Sequence, residues 1–305
     1  MLLFDSSRYI DQLGWLGRTI ATPAGSVLLR RFGGFRWDAR GSWPYQSLPT
    51  IAQLRALRDL SAYMPLSFTT AIRPDTDPGA TEAGLATIRG QFRAEYRALK
   101  VHLGHSPLRP PARDAYSRRT RRRLNHAAGV FFVAREDLTV EHAVMAGWQR
   151  RVKELRSIAD ASSPDPAHFA GLIASFGGRN ETTACVALRR RDAGTLAGVF
   201  LLFADLSKRS WHAHSLLMDP DALRDFGSYL LFDRTLEILG ERPVWFGGAP
   251  SGGNGDGVFV FKRRFANVTG QAHILSVDLN DAGLAKVRSD FRTYSWLPDY
   301  RVPEP

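Results

Sequence analysis

A single cysteine, Cys185, stands in 305 residues, so the chain has no intramolecular disulfide and no thiolate cluster for zinc or an iron–sulfur centre. That scarcity points to a reducing, cytoplasmic setting. The apolar stretch around Cys185 marks it as a core residue, with no histidine placed beside it to activate a thiolate. Long hydrophobic runs are missing too: Leu196–Ala204 and Val258–Phe261 fall far short of the roughly 20 residues that cross a bilayer. The start, Met1-Leu2-Leu3-Phe4-Asp5-Ser6-Ser7-Arg8, meets acid and base too early for a secretory segment, so neither a signal nor a transmembrane segment is expected. No Gly-x-Ser-x-Gly elbow, Walker loop or His-Glu-x-x-His motif occurs, which removes the sequence support for hydrolase, NTPase and metalloprotease chemistry. Lysine is scarce, and no internal repeat, coiled coil or low-complexity block is visible.

What is present is a globular composition, 44% hydrophobic and 23% charged, in a chain long enough for two domains of ordinary size. Arginine supplies nearly all of the positive charge. The formal balance of +11 favours a polyanionic partner such as a phosphorylated cofactor, a nucleic acid or an anionic surface.

Residues 1–110 alternate strand-like runs with one clear helix, 51–63, and with turn-rich breaks at 74–79 and 106–111. The second break is the better domain boundary, and 92–103 before it reads as a strand. A basic helix follows from about Asp114 to Ala128, closed by Gly129, then a strand at 130–134 and a helix at about 138–158. In that helix Val140, Val144, Trp148, Val152 and Leu155 recur at helical spacing, which makes them one buried face and Trp148 a core residue. After a helix at 167–176, strands at 182–190, 196–204 and 209–217 are joined by hairpin-length turns and form an antiparallel meander. A helix at 222–239 carries Tyr229, Phe232, Leu236 and Leu239 on one face; a strand at 243–246, a short basic helix and a strand at 271–278 complete the order.

The most informative stretch is the glycine-rich loop 247–257 between the strand ending at Phe246 and the helix Val258–Phe265, because glycine admits positive φ and close approach of a ligand. Gly247, Gly248, Asn254 and Lys262 there are candidate substrate contacts, and a mobile surface loop is the alternative. Asp256 is placed either to orient an amine or to cap the following helix. Period-two alternation sends His212 and His214 to one face of their strand, as candidate bases for an attacking amine or as a structural pair. Two histidines without a third ligand at a recognised spacing are not a metal site, and none is expected. The run Arg118 to Arg123 leaves only the Tyr116–Thr120–Leu124 stripe free of arginine. Arg118 and Arg122 are its candidate phosphate contacts, against a solvated helix face.

The order helix, helix, three antiparallel strands, helix, strand, helix, strand over 138–278 resembles the GNAT acyltransferase fold. With the basic helix Tyr116–Leu124 ahead of it and Gly247-Gly248 followed by Asp256–Phe265 behind, it is most similar to the FemAB-like branch. The resemblance covers about 95–278. It implies an α/β (α+β) fold with a mixed, mostly antiparallel sheet flanked by helices: a degenerate GNAT-like half at 1–110, an acyltransferase domain at 111–280, and a terminal helix and Pro-rich tail at 281–305. It further implies an N-acyltransferase with no tightly bound cofactor. The group would pass from acyl-CoA or a related phosphorylated carrier to a small-molecule or peptide amine, or from an aminoacyl-tRNA as some FemAB-like proteins do. A non-catalytic nucleic-acid or anionic-surface binder on the same scaffold is the rival from another class. GNAT enzymes seat a pyrophosphate on amides at the start of the helix after the fourth strand, which places Arg224, Gly227, Ser228 and Tyr229 as cofactor contacts here. Arg224-Asp225-Phe226-Gly227-Ser228-Tyr229 departs from the pattern in ending on tyrosine, whose bulk would crowd a pyrophosphate unless it turns into the core.

Overall fold

A computed structural model describes residues 6–11, 17–22, 25–32, 36–42, 46–107, 115–138, 142–156, 166–176, 181–205, 210–248 and 257–290. The chain divides into two compact units, one formed by Val101–Gly270 and one by Leu2–Lys100 with Gln271–Pro305. The boundaries fall inside two long strands, β5 (Ala94–His105) and β11 (Val268–Asp278).

The unit of 2–100 and 271–305 carries α1 (Ser7–Ile10), β1 (Arg18–Thr22), β2 (Gly25–Phe32), β3 (Arg36–Arg40), α2 (Ile51–Arg58), β4 (Ser67–Ile72), α3 (Pro78–Arg89) and α10 (Asp281–Asp290). Its strand order is β1-β2-β3-β4-β11, antiparallel except for the parallel pair β3/β4. Helix α2 opens on a capping box between Thr50 and Gln53. The break expected at 74–79 is found as the turn between β4 and α3, its last two residues opening the helix, with Asp77 accepting from the Ala80 amide and Pro78 in the first turn. Asp-Pro punctuation reads equally well as a turn and as an N-cap followed by a proline at N1.

The unit of 101–270 shares the run of three antiparallel strands, helical segment, parallel strand and helix, with further elements ahead of it. Helix α4 (Arg118–Val130) and β6 (Phe131–Arg135) precede α5 (His142–Arg156) and α6 (Pro166–Phe176). Then come β7 (Thr183–Arg190), β8 (Leu196–Asp205), β9 (Ser210–Met218), α7 (Pro220–Arg224), α8 (Gly227–Leu239), β10 (Val244–Gly247) and α9 (Gly257–Arg263). The sheet order is β5-β10-β9-β8-β7-β6, antiparallel except for β9/β10. The expected meander and the neighbouring of the 209–217 and 243–246 strands are both found. Strand β8 is buried on both faces, Phe200 stacking on Phe232 of α8 and Phe203 edge-on to Phe176 of α6. This explains its unbroken apolar run, since a strand covered on both faces loses the alternation of a half-exposed one. Cys185 lies buried in β7, where burial above all, with Asp137 adding and Arg135 opposing, pushes its thiol up to about 12.

Three sequence expectations fail here. Gly129 does not end the basic helix, which runs on to Val130. The helix at 222–239 is two helices, α7 and α8, broken at Phe226, whose φ of 58° and ψ of 25° are left-handed. In α5 it is Met145 that is fully buried, while Val144 is exposed; Val140 lies outside the described residues.

Candidate functional site

The site is built where β9 and β10 part. Their parallel register holds for Trp211 with Val244 and His212 with Trp245, and there it stops. Gly247, at φ 77°, sits past a register shift that carries β10 on along β5 to face Leu103. A left-handed φ at that kink suits glycine, which has no Cβ to clash. Strand β9 continues through Ala213–Met218, and all six residues line a cavity of about 330 Å³. The other walls are Trp148 of α5, Phe200 of β8, Leu223 of α7, Phe232 of α8, Phe246 of β10, and Val258, Phe261 and Lys262 of α9.

A β-bulge in β9 lies at the heart of this edge. Leu202 faces Ala213 and Leu201 faces Ser215, so His214 is the extra residue with no β8 residue opposite. Bulges re-aim side chains and backbone and are enriched next to active sites. The bulge also breaks the alternation expected for the two histidines. His214 lines the cavity, whereas His212 is fully buried with Nε2 at 3.3 Å from Ser210 Oγ, outside the residues lining it. His214 sits with Nδ1 at 2.6 Å from Ser215 Oγ and edge-on to Phe203 at 5.1 Å. Burial first, and His168 of α6 second, push its imidazole down from the ordinary 6.5 to about 3. It is therefore a neutral hydrogen-bonding group near pH 7 and a weak base.

Lys262, expected to reach an anionic substrate group, lines the cavity and donates from Nζ to the Gly248 carbonyl at 3.0 Å. That bond ties α9 to the first residues of the glycine loop. Asn254 and Asp256 lie outside the described residues.

The α7–α8 junction follows β9 directly. Gly227 opens α8 in a position where a Cβ would stand 2.7 Å from Leu188 Cδ2 and 2.9 Å from the Ala222 carbonyl, so the helix start packs onto β7 only without a side chain. Tyr229 turns into the core, edge-on to Phe261 at 5.1 Å, and its hydroxyl accepts from the Arg123 guanidinium. Its bulk therefore does not crowd the helix N-terminus. Its amide, however, donates to the Phe226 carbonyl at 2.9 Å, so of the amides of residues 227–229 at most those of Gly227 and Ser228 are open to a carrier phosphate. Arg123 lies 5.0 Å from the ring centres of both Phe226 and Tyr229 and braces the left-handed turn. Arg224 is largely solvent-exposed and pairs with Asp221 at 3.4 Å. Arg118 and Arg122 are exposed on α4 alongside Arg119 and Arg121, whereas Tyr116, Thr120 and Ala127 form its buried stripe.

Sequence reasoning missed Trp148, assigned to the core, and Phe246 and Phe261, which had no role. Helical spacing identifies the inward face of α5 without telling whether that face meets packed side chains or a cavity.

No family model and no curated protein matches the chain. Solved structures do. They include FemX (10% identity, TM-score 0.65, covering 93% of this chain and 94% of that one). Another is the C-terminal domain of a putative lysylphosphatidylglycerol synthetase from Agrobacterium fabrum (12% identity, TM-score 0.53, 94% and 90%). A third is L-PGS from Bacillus licheniformis (14% identity, TM-score 0.51, 90% and 88%). The fold is thus a mixed sheet flanked by helices, similar to that of FemX. The likeness to FemX is one of fold, in keeping with the element order read from the sequence.

Proposed function

We propose that the chain is an acyltransferase that moves an acyl or aminoacyl group from a phosphorylated carrier to an amine. The observation that carries this reading is the parting of β9 from β10 after two residue pairs, which leaves a strand edge with a bulge at His214 facing a cavity. Backbone N–H groups along such an edge are fixed dipoles able to polarise a thioester or ester carbonyl where its negative charge develops. The amine nitrogen attacks that carbonyl carbon, a C–N bond forms, and the C–S or C–O bond to the carrier breaks. The amine's proton leaves as the carrier departs as thiol or hydroxyl.

With a neutral His214, the protein contributes mainly position and electrostatics, and the acceptor reacts as the free amine. His214 orients it by hydrogen bonding. The helix starting at Gly227 and the exposed Arg118 and Arg122 supply positive potential for the carrier's phosphates. The relatives by fold named FemX and lysylphosphatidylglycerol synthetase support a carrier-borne aminoacyl donor beside acyl-CoA.

The test is donor turnover: purified protein incubated with acyl-CoAs or aminoacyl-tRNAs, with and without a peptide or small amine, scoring amine-dependent release of CoA or tRNA. Lys262→Ala is expected to lower kcat/KM more than tenfold, by about 2 kcal/mol or more, if its half-buried ammonium pairs with an anionic group of donor or acceptor in the complex. Lys286→Ala on exposed α10 is expected to change nothing. Binding of tRNA without release from any donor would favour the non-catalytic binder that the exposed arginines of α4 also fit.

A further inference from the structure

The walls of the cavity define the chemistry of the transferred group, an inference that rests on the acyl-transfer reading. We infer that the cavity beside β9 holds the apolar tail of the acyl group. The chain then selects an aliphatic or aromatic acyl of on the order of ten non-hydrogen atoms over an acetyl- or alanyl-sized one.

Three observations point this way. The lining is dominated by Trp148, Phe200, Phe232, Phe246, Val258 and Phe261, and Phe232 binds the floor together. Its ring lies 4.9 Å from Phe200, 5.0 Å from Phe246 and 5.1 Å from Phe261. The volume of about 330 Å³ is roughly twice that of the ~150 Å³ apolar cavity that takes up benzene, and lies at the lower end of ordinary small-ligand sites. An acetyl group would leave most of these aromatic walls without contact partners and forfeit their dispersion energy.

The third observation is electrostatic. Among the described lining residues Lys262 is the ionic side chain, since His214 is neutral. Held in its interior, a polar amine acceptor would be desolvated against an apolar wall, and its protonated form would also meet the like charge of Lys262. The tail of an acyl group meets neither objection. The same chemistry has two sources, a medium-chain or aromatic acyl thioester and an aminoacyl ester with a large apolar side chain.

The test separates pocket from reaction. Thermal shifts with octanoate and 3-phenylpropanoate read the pocket without turnover, because a ligand selective for the folded state raises its stability. Transfer is then measured with acetyl-, butanoyl-, octanoyl- and palmitoyl-CoA and with alanyl-, leucyl- and phenylalanyl-tRNA. The expectation is a Tm rise with both acids and at least a tenfold higher kcat/KM for octanoyl over acetyl, or for leucyl and phenylalanyl over alanyl, depending on the carrier. Val258→Trp, at a half-exposed rim position, should shift the optimum to shorter groups. Transfer in which acetyl or alanyl is used as well as the larger groups overturns this inference and leaves the acyltransferase reading standing. No transfer from any donor, with the thermal shift retained, overturns the acyltransferase reading. Absence of any shift overturns the pocket.

Discussion

Each unit has a meander, a helix and a strand laid parallel to the meander's last strand, but the two parallel pairs end differently. In the unit of 2–100 and 271–305, β3 and β4 pair at Ala39/Phe68 and Arg40/Thr69, and the chain then keeps the pairing closed. Gly41 donates to the Thr69 carbonyl, Gln46 donates to the Ala71 carbonyl, both at 2.9 Å, and Gln46 bridges to Ile72. The Gln46 side chain fills the remaining space, its Oε1 accepting from the Ser42 amide at 3.1 Å. In the unit of 101–270, nothing comparable follows His212 among the described residues, and the opened edge is lined with aromatic rings. One element order therefore produces either a sealed sheet or a site. The difference lies in whether the chain beyond the two paired residues stays bonded to the parallel strand, as Gly41 and Gln46 do, or runs on without it, as Ala213–Met218 of β9 does.

The strongest way to break this comparison is Phe232→Ala, which removes the ring that joins three others at the cavity floor. A loss of about 3–5 kcal/mol in urea unfolding is expected, as for other buried phenylalanines. A loss below 1 kcal/mol would mean the floor is loosely packed and the cavity poorly defined.

A second effect is on pH dependence. Because the folded His214 is held near 3 and its unfolded value is near 6.5, the unfolded state binds the extra proton between those values. Its contribution is fully present above pH 6.5 and is lost as pH falls toward 3, with a slope of up to about 1.4 kcal/mol per pH unit. Denaturation between pH 4 and 7 should show a flatter profile for His214→Gln than for the unsubstituted chain. Equal slopes would place the imidazole in contact with solvent.

The sealed pair is probed by Gly41→Val. A Cβ at Gly41 would stand 2.0 Å from Thr70 Oγ1 and 2.2 Å from Gln46 Oε1, so the Gln46 plug must move, at a cost of about 1–3 kcal/mol. Gly41→Val with Gln46→Ala should recover part of that loss, and full additivity of the two would show that they do not share the gap.

The smallest effect on stability is expected from Arg118→Ala with Arg122→Ala, within about 0.5 kcal/mol because both side chains are exposed. Their signature would be in carrier binding, as a shallower dependence of affinity on salt. An unchanged salt slope would return α4 to the status of a solvated face.

The fold was legible where local chemistry decides it. The meander, the α8 face of Tyr229, Phe232 and Leu239, and the stripe of Tyr116 and Thr120 on α4 all follow from periodicity, because burial on one side imposes a spacing on the chain. Parts of the site were legible too: His214 and Lys262 were singled out from their strand and loop, and both line the cavity. The sequence did not show that His212 and His214 part company, because the bulge is defined by the register against β8 and leaves no local mark. Trp148 was placed in the core for the same kind of reason.

What the sequence by itself determined is the order of elements, the apolar faces and the absence of disulfide or thiolate-cluster chemistry. Those depend on neighbours within one or two turns of chain and on composition. Only the tertiary structure decided that β9 and β10 separate, that the Arg123 guanidinium lies over the Tyr229 ring, and that six aromatic and aliphatic side chains from five elements line one space. Cavities and parted strands are properties of how distant segments pack, and a sequence pattern records which side chains face inward without recording what they meet there.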